Sequence, residues 1–587
     1  MRASEEEFRK QGPEFLLKIP AAQRSENIYG LFLYRPSFAL DQVSDAYHIV
    51  AWGDPILRGR LPEKLKGDDA AKCIAESIAG HFYYVLLLRN TEELIVGNSA
   101  FGILPIYYCD RGGVLFLSDN ALTLGKHVRA DSVSGRFVLE TVLFRYPLFD
   151  SSVLEGIRLL GANSHLYFIR DNWSVKKHVS VEDMFCSDPI PWKRAAGVTA
   201  DSFIEAVSGY LPDERYASAL TGGFDSRTLL AAGVGLGREM TAFSFGTEES
   251  GDVRIASRVA SVAGIPHSKI ILGDDYVRKE SFSCGRDFIL NASGTATFAR
   301  AHYLFSARQL ALKYRYMVTG NFGSEIFRSP HFAGSVIAPN TVALFTAGTV
   351  ENAIEQVIKS PEFRSLDTVS LGQAWDSLKS DLHRLPCFNP DYSELTRNQR
   401  LYVFVFEEVF RKYFGAEMVN QFRHLVNRTP FLDLNFLRVV LASRLAGVHS
   451  DFFEHNPVKR FKGQVLYAHI IRKAFPAFGE LVTDKGYSPN DLIKPGGRFA
   501  IAWNYASKRL YRLKTDADPY AVRASWDYNS SKWRSLSVPR NFFLLSADGK
   551  AQTTADRELE YRILSISTIT SELFGMNPLG GQKSSLP

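Results

Sequence analysis

The segment from Ser218 to Arg227 carries residue types that bind phosphate groups. It overlaps an apolar run, Tyr216 to Leu220, that is typical of the end of a buried strand, and a helix is expected directly afterwards. A helix N-terminus presents backbone N–H groups without intrahelical partners at the positive end of the helix dipole. The spacing therefore predicts an anion cradle formed by Leu220, Thr221, Gly222, Gly223, Asp225 and Ser226.

The side chains of this turn suit a nucleotide phosphate. We expect Gly222 and Gly223 to adopt positive φ and to let the backbone approach a phosphate closely. Thr221 and Ser226 offer hydroxyl donors, and Asp225 is a candidate ligand for a Mg²⁺ ion that bridges phosphates. The competing interpretation is an ordinary strand–turn–helix joint, in which the glycines serve geometry and the polar side chains cap the helix.

The order of residues in this turn decides between the two interpretations. Thr221 to Ser226 closely resembles the Ser-Gly-Gly-Xaa-Asp-Ser pyrophosphate loop of the asparagine synthetase family, in which ATP is split to AMP and pyrophosphate. Thr221 replaces the usual Ser and keeps its hydroxyl. The resemblance implies that the loop binds ATP and that Mg²⁺ is held by Asp225.

A second glycine-bearing turn follows an apolar strand that ends at Val318. It resembles the family's Ser-Gly-Xaa-Gly-Xaa-Asp-Glu-Xaa-Phe pattern, whose Asp faces the pyrophosphate and the metal. Thr319, Gly320, Glu325 and Phe327 match, whereas Ser324 replaces the Asp and Phe322 replaces a glycine. The resemblance implies that Gly320 lines the ATP site and that Glu325 is catalytic and a second metal ligand.

Two further segments extend the resemblance. The family's second strand in this domain borders the adenine with its backbone, which implies the same role for Phe245 and Gly246. Thr483 to Tyr487 resembles the family's Arg-Pro-Lys-Xaa-Gly-Phe loop, shortened by one position, and implies that Lys485 is a catalytic cation. A fixed ammonium stabilises charge that develops on the α-phosphate and on a tetrahedral intermediate.

Strands and helices alternate from Thr199 to Leu272, which predicts a doubly wound parallel sheet with ligands at the carboxyl ends of its strands. Residues 340–425 are expected to add a helical subdomain. Arg428 to Asp433 resembles the family's Glu-Xaa-Arg-Xaa-Pro-Phe-Leu-Asp element, although Val426 replaces the Glu. An interdomain joint is expected at residues 186–200, where prolines and a glycine cluster.

Residues 28–190 contain mostly short runs of β-branched and aromatic residues, which predict an antiparallel β-sandwich. Gly80 to Tyr84 and Phe101 to Tyr108 resemble strands of the class II glutamine amidotransferase domain, which has an Ntn-hydrolase fold. That domain begins with a catalytic Cys whose thiolate and α-amine hydrolyse glutamine. Glu26 stands at the equivalent position and is preceded by extra residues, so we expect the fold without the glutaminase chemistry.

These patterns divide the chain into four parts: an N-terminal extension (1–25), a degenerate glutamine amidotransferase-like domain (26–190), an asparagine synthetase-like ATP-binding domain (191–500) and a C-terminal helical extension (501–587). The net charge of +6 is spread along 587 residues without a dense basic run, which argues against nucleic-acid and membrane partners. No apolar run reaches the roughly 18–20 residues of a membrane span. The five scattered cysteines and the charged N-terminus favour a cytoplasmic protein.

The resemblance implies an ATP-dependent amide-bond-forming ligase that activates a small-molecule or peptide carboxylate as an acyl-adenylate. In one interpretation the nucleophile is an amine of the substrate itself, as in β-lactam synthetases and lasso-peptide macrolactam cyclases, and a precursor peptide and its maturation protease are partners. In a second, the acceptor is ammonia and the substrate a small acid or a sugar acid. In a third, the chain is a non-catalytic scaffold. The sequence determines neither the substrate nor the oligomeric state.

The replacement of the N-terminal Cys leads to a testable expectation. The purified protein should release no glutamate from glutamine above the buffer rate, because the nucleophile of the hydrolysis is missing. A coupled glutamate dehydrogenase assay measures this release, with an active class II amidotransferase as positive control. Saturable glutamate release would contradict the loss of glutaminase chemistry.

Overall fold

The computed structural model describes residues 14–20, 31–34, 36–65, 67, 69–170, 172–185, 189–328, 336–452, 462–497, 499–504, 518–536 and 554–574. Within these ranges no helix is both long and apolar enough to cross a membrane. Glu26 lies outside the described residues.

The N-terminal third forms two antiparallel sheets, as the short strand patterns predicted. Its strands are β1 (Leu16–Pro20), β2 (Phe32–Tyr34), β3 (Leu40–Val43), β4 (Tyr47–Leu57), β5 (Ile78–Leu88), β6 (Glu93–Asn98), β7 (Tyr107–Arg111), β8 (Val114–Ser118), β9 (Arg158–Leu159), β10 (Ser164–Ile169) and β11 (Asn172–Lys177). One sheet has the order β2-β1-β8-β7-β9 and the other has the order β11-β10-β6-β5-β4-β3.

Aromatic side chains pack the two sheets against each other. The ring of Phe15, next to β1, lies 5.1 Å from the ring of Trp52 on β4 and 5.0 Å from that of Tyr83 on β5. All three side chains are buried. Strand β1 falls in the segment that the sequence analysis treated as an extension, yet it pairs with β8 along its whole length. Its brevity and its terminal Pro20 hid the strand from the sequence pattern.

The second half contains a parallel sheet of five strands, which confirms the expected parallel sheet. Its strands are β12 (Tyr216–Ala219), β13 (Met240–Gly246), β14 (His267–Ile271), β15 (Tyr316–Val318) and β16 (Val426–Arg428). Their order is β14-β13-β12-β15-β16, and every neighbouring pair is parallel. The chain therefore proceeds outward from β12 on one side and returns to β15 on the other. The loops that follow β12 and β15 flank a topological switch point, where sheets of this kind bind ligands.

Helices make up most of residues 340–425, as expected, and occur throughout the rest of the described chain. They are α1 (Asp69–Ser77), α2 (Ala121–Val128), α3 (Gly135–Phe144), α4 (Trp192–Tyr210), α5 (Asp225–Gly235), α6 (Gly251–Ala263), α7 (Ser281–Asn291), α8 (Ala301–Ala311), α9 (Gly323–Phe327), α10 (Pro339–Thr346), α11 (Val350–Ile358), α12 (Pro361–Arg364), α13 (Gly372–Asp381), α14 (Arg397–Phe404), α15 (Gly415–Phe422), α16 (Leu434–Ala442), α17 (Lys462–Ala474), α18 (Val522–Arg534) and α19 (Thr554–Phe574). Residues Val405–Phe414 join α14 to α15 as a π-helical stretch.

Helix α4 overlaps the range that was expected to form the interdomain joint. It begins at Trp192, inside the range 186–200 that was assigned to the joint. Pro191 directly precedes the first turn, where a missing N–H costs no intrahelical hydrogen bond. Gly197 lies within the helix and does not end it. Helix α17 packs against α4 and α5, which brings its side chains towards the end of β12.

A buried ion pair joins an antiparallel sheet of the N-terminal third to the parallel sheet. Nε of Arg428, at the end of β16, lies 2.8 Å from Oδ2 of Asp54 on β4, and its Nη2 lies 3.0 Å from Oδ1. The two side chains are only 13% and 8% exposed. Next to this pair, the buried His81 lies 2.7 Å from the Thr429 hydroxyl. Burial lowers the pKa of His81 to about 3, so the imidazole is neutral.

Replacing Asp54 with Ala should destabilise the protein strongly, because the Arg428 guanidinium then stays buried without its carboxylate. Breaking a buried pair in this way costs about 3–5 kcal/mol. The matched control is Asp527→Ala, which removes a pair whose side chains are 65% and 63% exposed and costs less than about 1 kcal/mol. The midpoint of urea denaturation measures both changes. Equal shifts in the two variants would contradict a stabilising role for the Asp54–Arg428 pair.

Candidate functional site

The turn after β12 is held by hydrogen bonds among its own residues. The backbone N–H of Thr221 donates to the Ser226 hydroxyl at 2.9 Å, and the two hydroxyl oxygens lie 3.0 Å apart. The N–H of Gly223 donates to the Thr221 hydroxyl oxygen at 3.3 Å. The hydroxyls of Thr221 and Ser226 therefore hold the turn in shape.

The N-terminus of α5 has no side-chain cap. Helix α5 begins at Asp225, and no side-chain hydrogen bond caps its N-terminus. Its first intrahelical bond runs from the N–H of Thr228 to the carbonyl of Phe224, at 2.8 Å. The preceding N–H groups have no intrahelical acceptor and lie at the positive end of the helix dipole. This arrangement is the one that attracts phosphate and carboxylate groups.

The glycines of the site allow close contact rather than unusual backbone angles. Neither Gly222 nor Gly223 has a positive φ, so the expectation of left-handed glycines was wrong. A Cβ on Gly222 would lie 3.1 Å from the Asp484 Cβ and 3.1 Å from the Ile255 Cδ1. A Cβ on Gly320 would lie 2.8 Å from the carbonyl carbon of Asp225. A side chain at Gly320 would therefore collide with the backbone of α5, whereas one at Gly222 would be tightly packed against two side chains.

The Asp225 carboxylate accepts hydrogen bonds from the loop after β15 and from α17. Oδ2 of Asp225 accepts a hydrogen bond from the Ser324 hydroxyl at 2.6 Å, and Oδ1 accepts one from the Tyr467 hydroxyl on α17. The guanidinium of Arg328 in turn donates to the Ser324 oxygen. Glu325 lies beside this group, and burial together with the Asp225 charge raises the pKa of Glu325 to about 7.

These contacts do not fit a Mg²⁺ ion held by Asp225 and Glu325. Both oxygens of Asp225 already bind hydroxyl donors, and a fixed guanidinium stands next to them. Burial by itself lowers the pKa of Arg328, but the neighbouring groups, Asp225 first among them and Glu325 included, together outweigh it and raise the pKa, so Arg328 is charged. The described part of the chain contains no group of three or more His, Cys, Asp or Glu side chains that could hold a metal.

Phe322 stands where the asparagine synthetase pattern has a glycine, and its backbone adopts the left-handed conformation that glycine favours. Its φ is 72°, in the left-handed region, which costs a non-glycine residue about 1–2 kcal/mol. Its ring is buried and lies 4.9 Å from the rings of both Phe410 and Phe414. Burial of a Phe side chain returns about 1.5–3 kcal/mol, so the packing offsets the backbone strain.

The loop that carries Lys485 folds onto the turn after β12. The N–H of Asp484 donates to the Gly222 carbonyl at 3.0 Å. The buried Arg227 side chain donates to the carbonyls of Leu481 and Val482 and so clamps this loop to α5. Lys485 is half-buried, with its Nζ 5.7 Å from the centre of the Phe224 ring. Burial and the nearby Arg328 charge lower the pKa of Lys485.

The end of β13 reaches the same turn through a residue of the C-terminal segment. Oδ1 of Asp252 accepts the N–H of Gly222 at 2.8 Å, and its Oδ2 accepts the Tyr520 hydroxyl at 3.1 Å. The Tyr520 ring lies 5.9 Å from that of Phe245. A Cβ on Gly246 would lie 3.1 Å from the carbonyl oxygen of Pro519. Residues 518–521 therefore connect the end of β13 to the turn after β12.

The structure brings the sequence-derived site residues to one edge of the parallel sheet. The turn Leu220–Ser226, Gly320, Glu325 and the Lys485 loop form direct contacts or share electrostatic partners. Phe245 and Gly246 join them through Asp252 and the C-terminal segment. Sequence reasoning missed Arg328, Tyr467, Asp252 and Tyr520 as members of the site. The position of Asp252 could have been predicted from the sequence, because it follows the carboxyl end of a predicted strand, in the first turn of α6.

The comparisons with known proteins add little to this geometry. No family model matches the chain, and no curated protein matches it. Among solved structures, a glutamine phosphoribosylpyrophosphate amidotransferase from B. subtilis, complexed with ADP and GMP, aligns with 60% of this chain and 85% of its own at 8% identity. The TM-score is 0.18, which is too low to carry an argument about fold or function.

The perturbed carboxyl of Glu325 predicts a pH-dependent stability. Its pKa rises from the ordinary 4.5 to about 7 on folding. The protonated carboxyl therefore contributes fully to the folding stability below pH 4.5, and this contribution is lost as the pH rises through about 7. The stability difference between Glu325→Gln and the wild type should therefore be larger at pH 8 than at pH 5, in favour of the variant, by about 1–3 kcal/mol. Urea unfolding at both pH values measures the gain, and the exposed Glu355→Gln is the control. A pH-independent difference would contradict the raised pKa.

Proposed function

We propose that this protein is an ATP-dependent ligase that activates a carboxylate as an acyl-adenylate and forms an amide bond. One observation carries the proposal: the turns after β12 and β15 meet at the switch point of a parallel sheet, and the Lys485 loop folds onto the first of them. A helix N-terminus without a side-chain cap and a half-buried cation on one turn suit a triphosphate.

The proposed chemistry has two steps. An oxygen of the substrate carboxylate attacks the α-phosphorus of ATP, the bond to the β-phosphate breaks, and pyrophosphate leaves. An amine then attacks the acyl carbon, AMP leaves with the bonding electrons, and the amine loses a proton. Lys485 stabilises negative charge on the α-phosphate. Glu325, whose pKa is about 7, is suited to accept the proton of the amine. No step is routed through a metal held by the protein.

The likeness to the asparagine synthetase family supports this reaction class. Two sequence motifs that are almost a hundred residues apart, at Thr221 and at Thr319, meet in space as a pyrophosphate site requires. Phe322 also adopts the left-handed backbone that the family's glycine permits. The replacement of the N-terminal Cys by Glu26 argues for an amine within the substrate, as in the macrolactam and β-lactam enzymes, over ammonia from glutamine.

A non-catalytic scaffold is the second candidate, and one observation favours it. The Asp225 carboxylate is fully engaged by Tyr467 and Ser324 instead of pointing to an open metal site. A scaffold that kept the fold would retain the loop contacts without turnover. Both candidates predict nucleotide binding by the turn, so only a product assay separates them.

Substrate-dependent pyrophosphate release tests the proposal. We expect ATP–pyrophosphate exchange with at least one member of a panel of amino acids, sugar acids and carboxyl-bearing peptides. Asp225→Ala should abolish the exchange, and Lys485→Ala should reduce it about 100- to 1,000-fold. Lys269→Ala, at an exposed position on β14, is the matched control and should not change it. Bound ATP without exchange or pyrophosphate release from any substrate would favour the scaffold.

A further inference from the structure

Arg328 is a cation of the site that the sequence motifs do not assign. It follows the short helix α9, and its guanidinium donates to the Ser324 hydroxyl, which in turn donates to Oδ2 of Asp225 at 2.6 Å. The guanidinium makes no other hydrogen bond to the part of the chain that the structure describes. A guanidinium has five N–H donors in a planar fork that suits phosphate oxygens.

Arg328 and Lys485 act on the same small region from two different loops. The Nζ of Lys485 lies 5.7 Å from the centre of the ring of Phe224, the residue before Asp225, and Arg328 reaches the Asp225 carboxylate through Ser324. Burial, and after it the charge of Arg328, lowers the pKa of Lys485. Two cations from different loops therefore lie beside one carboxylate, and an added anion that contacts both of them would reduce their mutual repulsion.

The Ser at position 324 accounts for the position of Arg328 beside Asp225. The related pattern has a carboxylate at this position, which faces the pyrophosphate and the metal. A neutral hydroxyl removes that negative charge and accepts the hydrogen bond of Arg328 instead. The site has therefore lost a metal ligand and gained a fixed guanidinium. A planar guanidinium binds phosphate oxygens in a bidentate manner, which a compact ammonium does not do.

We propose that Arg328, together with Lys485, binds the pyrophosphate group directly and replaces a protein-held divalent cation in this role. This inference rests on the proposed function only for the identity of the anion. Its consequence is specific: inorganic pyrophosphate binds to the protein in the absence of divalent metal, and the affinity depends on a planar guanidinium at position 328.

A purely structural role is the competing explanation. Arg328 would then only balance the charge of Asp225 and Glu325 and hold the loop after β15. A structural role predicts that substitution lowers the thermal stability while the affinity of the folded protein for pyrophosphate stays the same. The conservative variant Arg328→Lys separates the two explanations, because it keeps the charge but loses the bidentate geometry.

Isothermal titration of the full chain with inorganic pyrophosphate in excess EDTA is the test. We expect binding to the wild type, a loss of affinity of at least tenfold in Arg328→Gln and in Lys485→Ala, and an intermediate affinity in Arg328→Lys. Arg523→Gln, at a side chain that is 65% exposed, should bind like the wild type. Thermal unfolding of each variant identifies any that has lost its fold.

The outcomes separate this inference from the proposed ligase. Pyrophosphate binding that vanishes in EDTA, or that is unchanged in folded Arg328→Gln and Arg328→Lys, overturns the inference, as does a wild type that binds no pyrophosphate. EDTA-resistant binding that depends on Arg328 supports it, even if no substrate gives exchange and the ligase proposal fails. Exchange activity that is insensitive to Arg328 leaves the ligase proposal standing and rejects the inference.

Discussion

The close contact of Gly320 with the first peptide of α5 is the constraint on which the site depends. A Cβ on Gly320 would lie 2.8 Å from the carbonyl carbon of Asp225 and 2.8 Å from the amide nitrogen of Ser226. Any larger residue would push the loop after β15 away from the loop after β12. The hydrogen bond from Ser324 to Asp225, and with it the position of Arg328, follows from this contact. The sheet order makes it possible, because β12 and β15 are neighbours.

Charge balance is the second organising feature. Asp225, Glu325 and Asp252 bring negative charge to the edge of the sheet, and Arg328 and Lys485 bring positive charge. Burial is the main cause of the raised pKa of Glu325 and of the lowered pKa of Lys485, and the charge of Asp225 adds to the first shift and that of Arg328 to the second. Under the proposed function, a phosphate ligand contacts both cations in place of a protein-held metal ion.

Local patterns in the sequence were sufficient to find the two glycine turns, the Lys485 loop and most strands. Each of these is a contiguous run whose spacing carries its own geometric meaning, such as Thr221 to Ser226. The partners from distant parts of the chain were not accessible in this way. Tyr467 and Tyr520 reach the site only because helix α17 packs on α5 and residues 518–521 pass the end of β13. No local pattern encodes such packing.

The errors have physical reasons as well. Gly222 was expected to adopt a positive φ, but its φ is not positive, and the space beside it is instead narrowed by Asp484 and Ile255. Ser324 was interpreted as the loss of a metal ligand, and only the structure places Arg328 against the hydroxyl that remains. A substitution that removes one interaction can create another, and the second is visible only in three dimensions.

The most direct test of the central claim is to identify the phosphorus products by ³¹P NMR. Hydroxylamine serves as a general nucleophile that traps an activated acyl group as a hydroxamate. The account predicts that AMP and pyrophosphate appear in equal amounts with the hydroxamate when an accepted carboxylate is present. Formation of ADP and inorganic phosphate, or stable binding of ATP without any product, would contradict it.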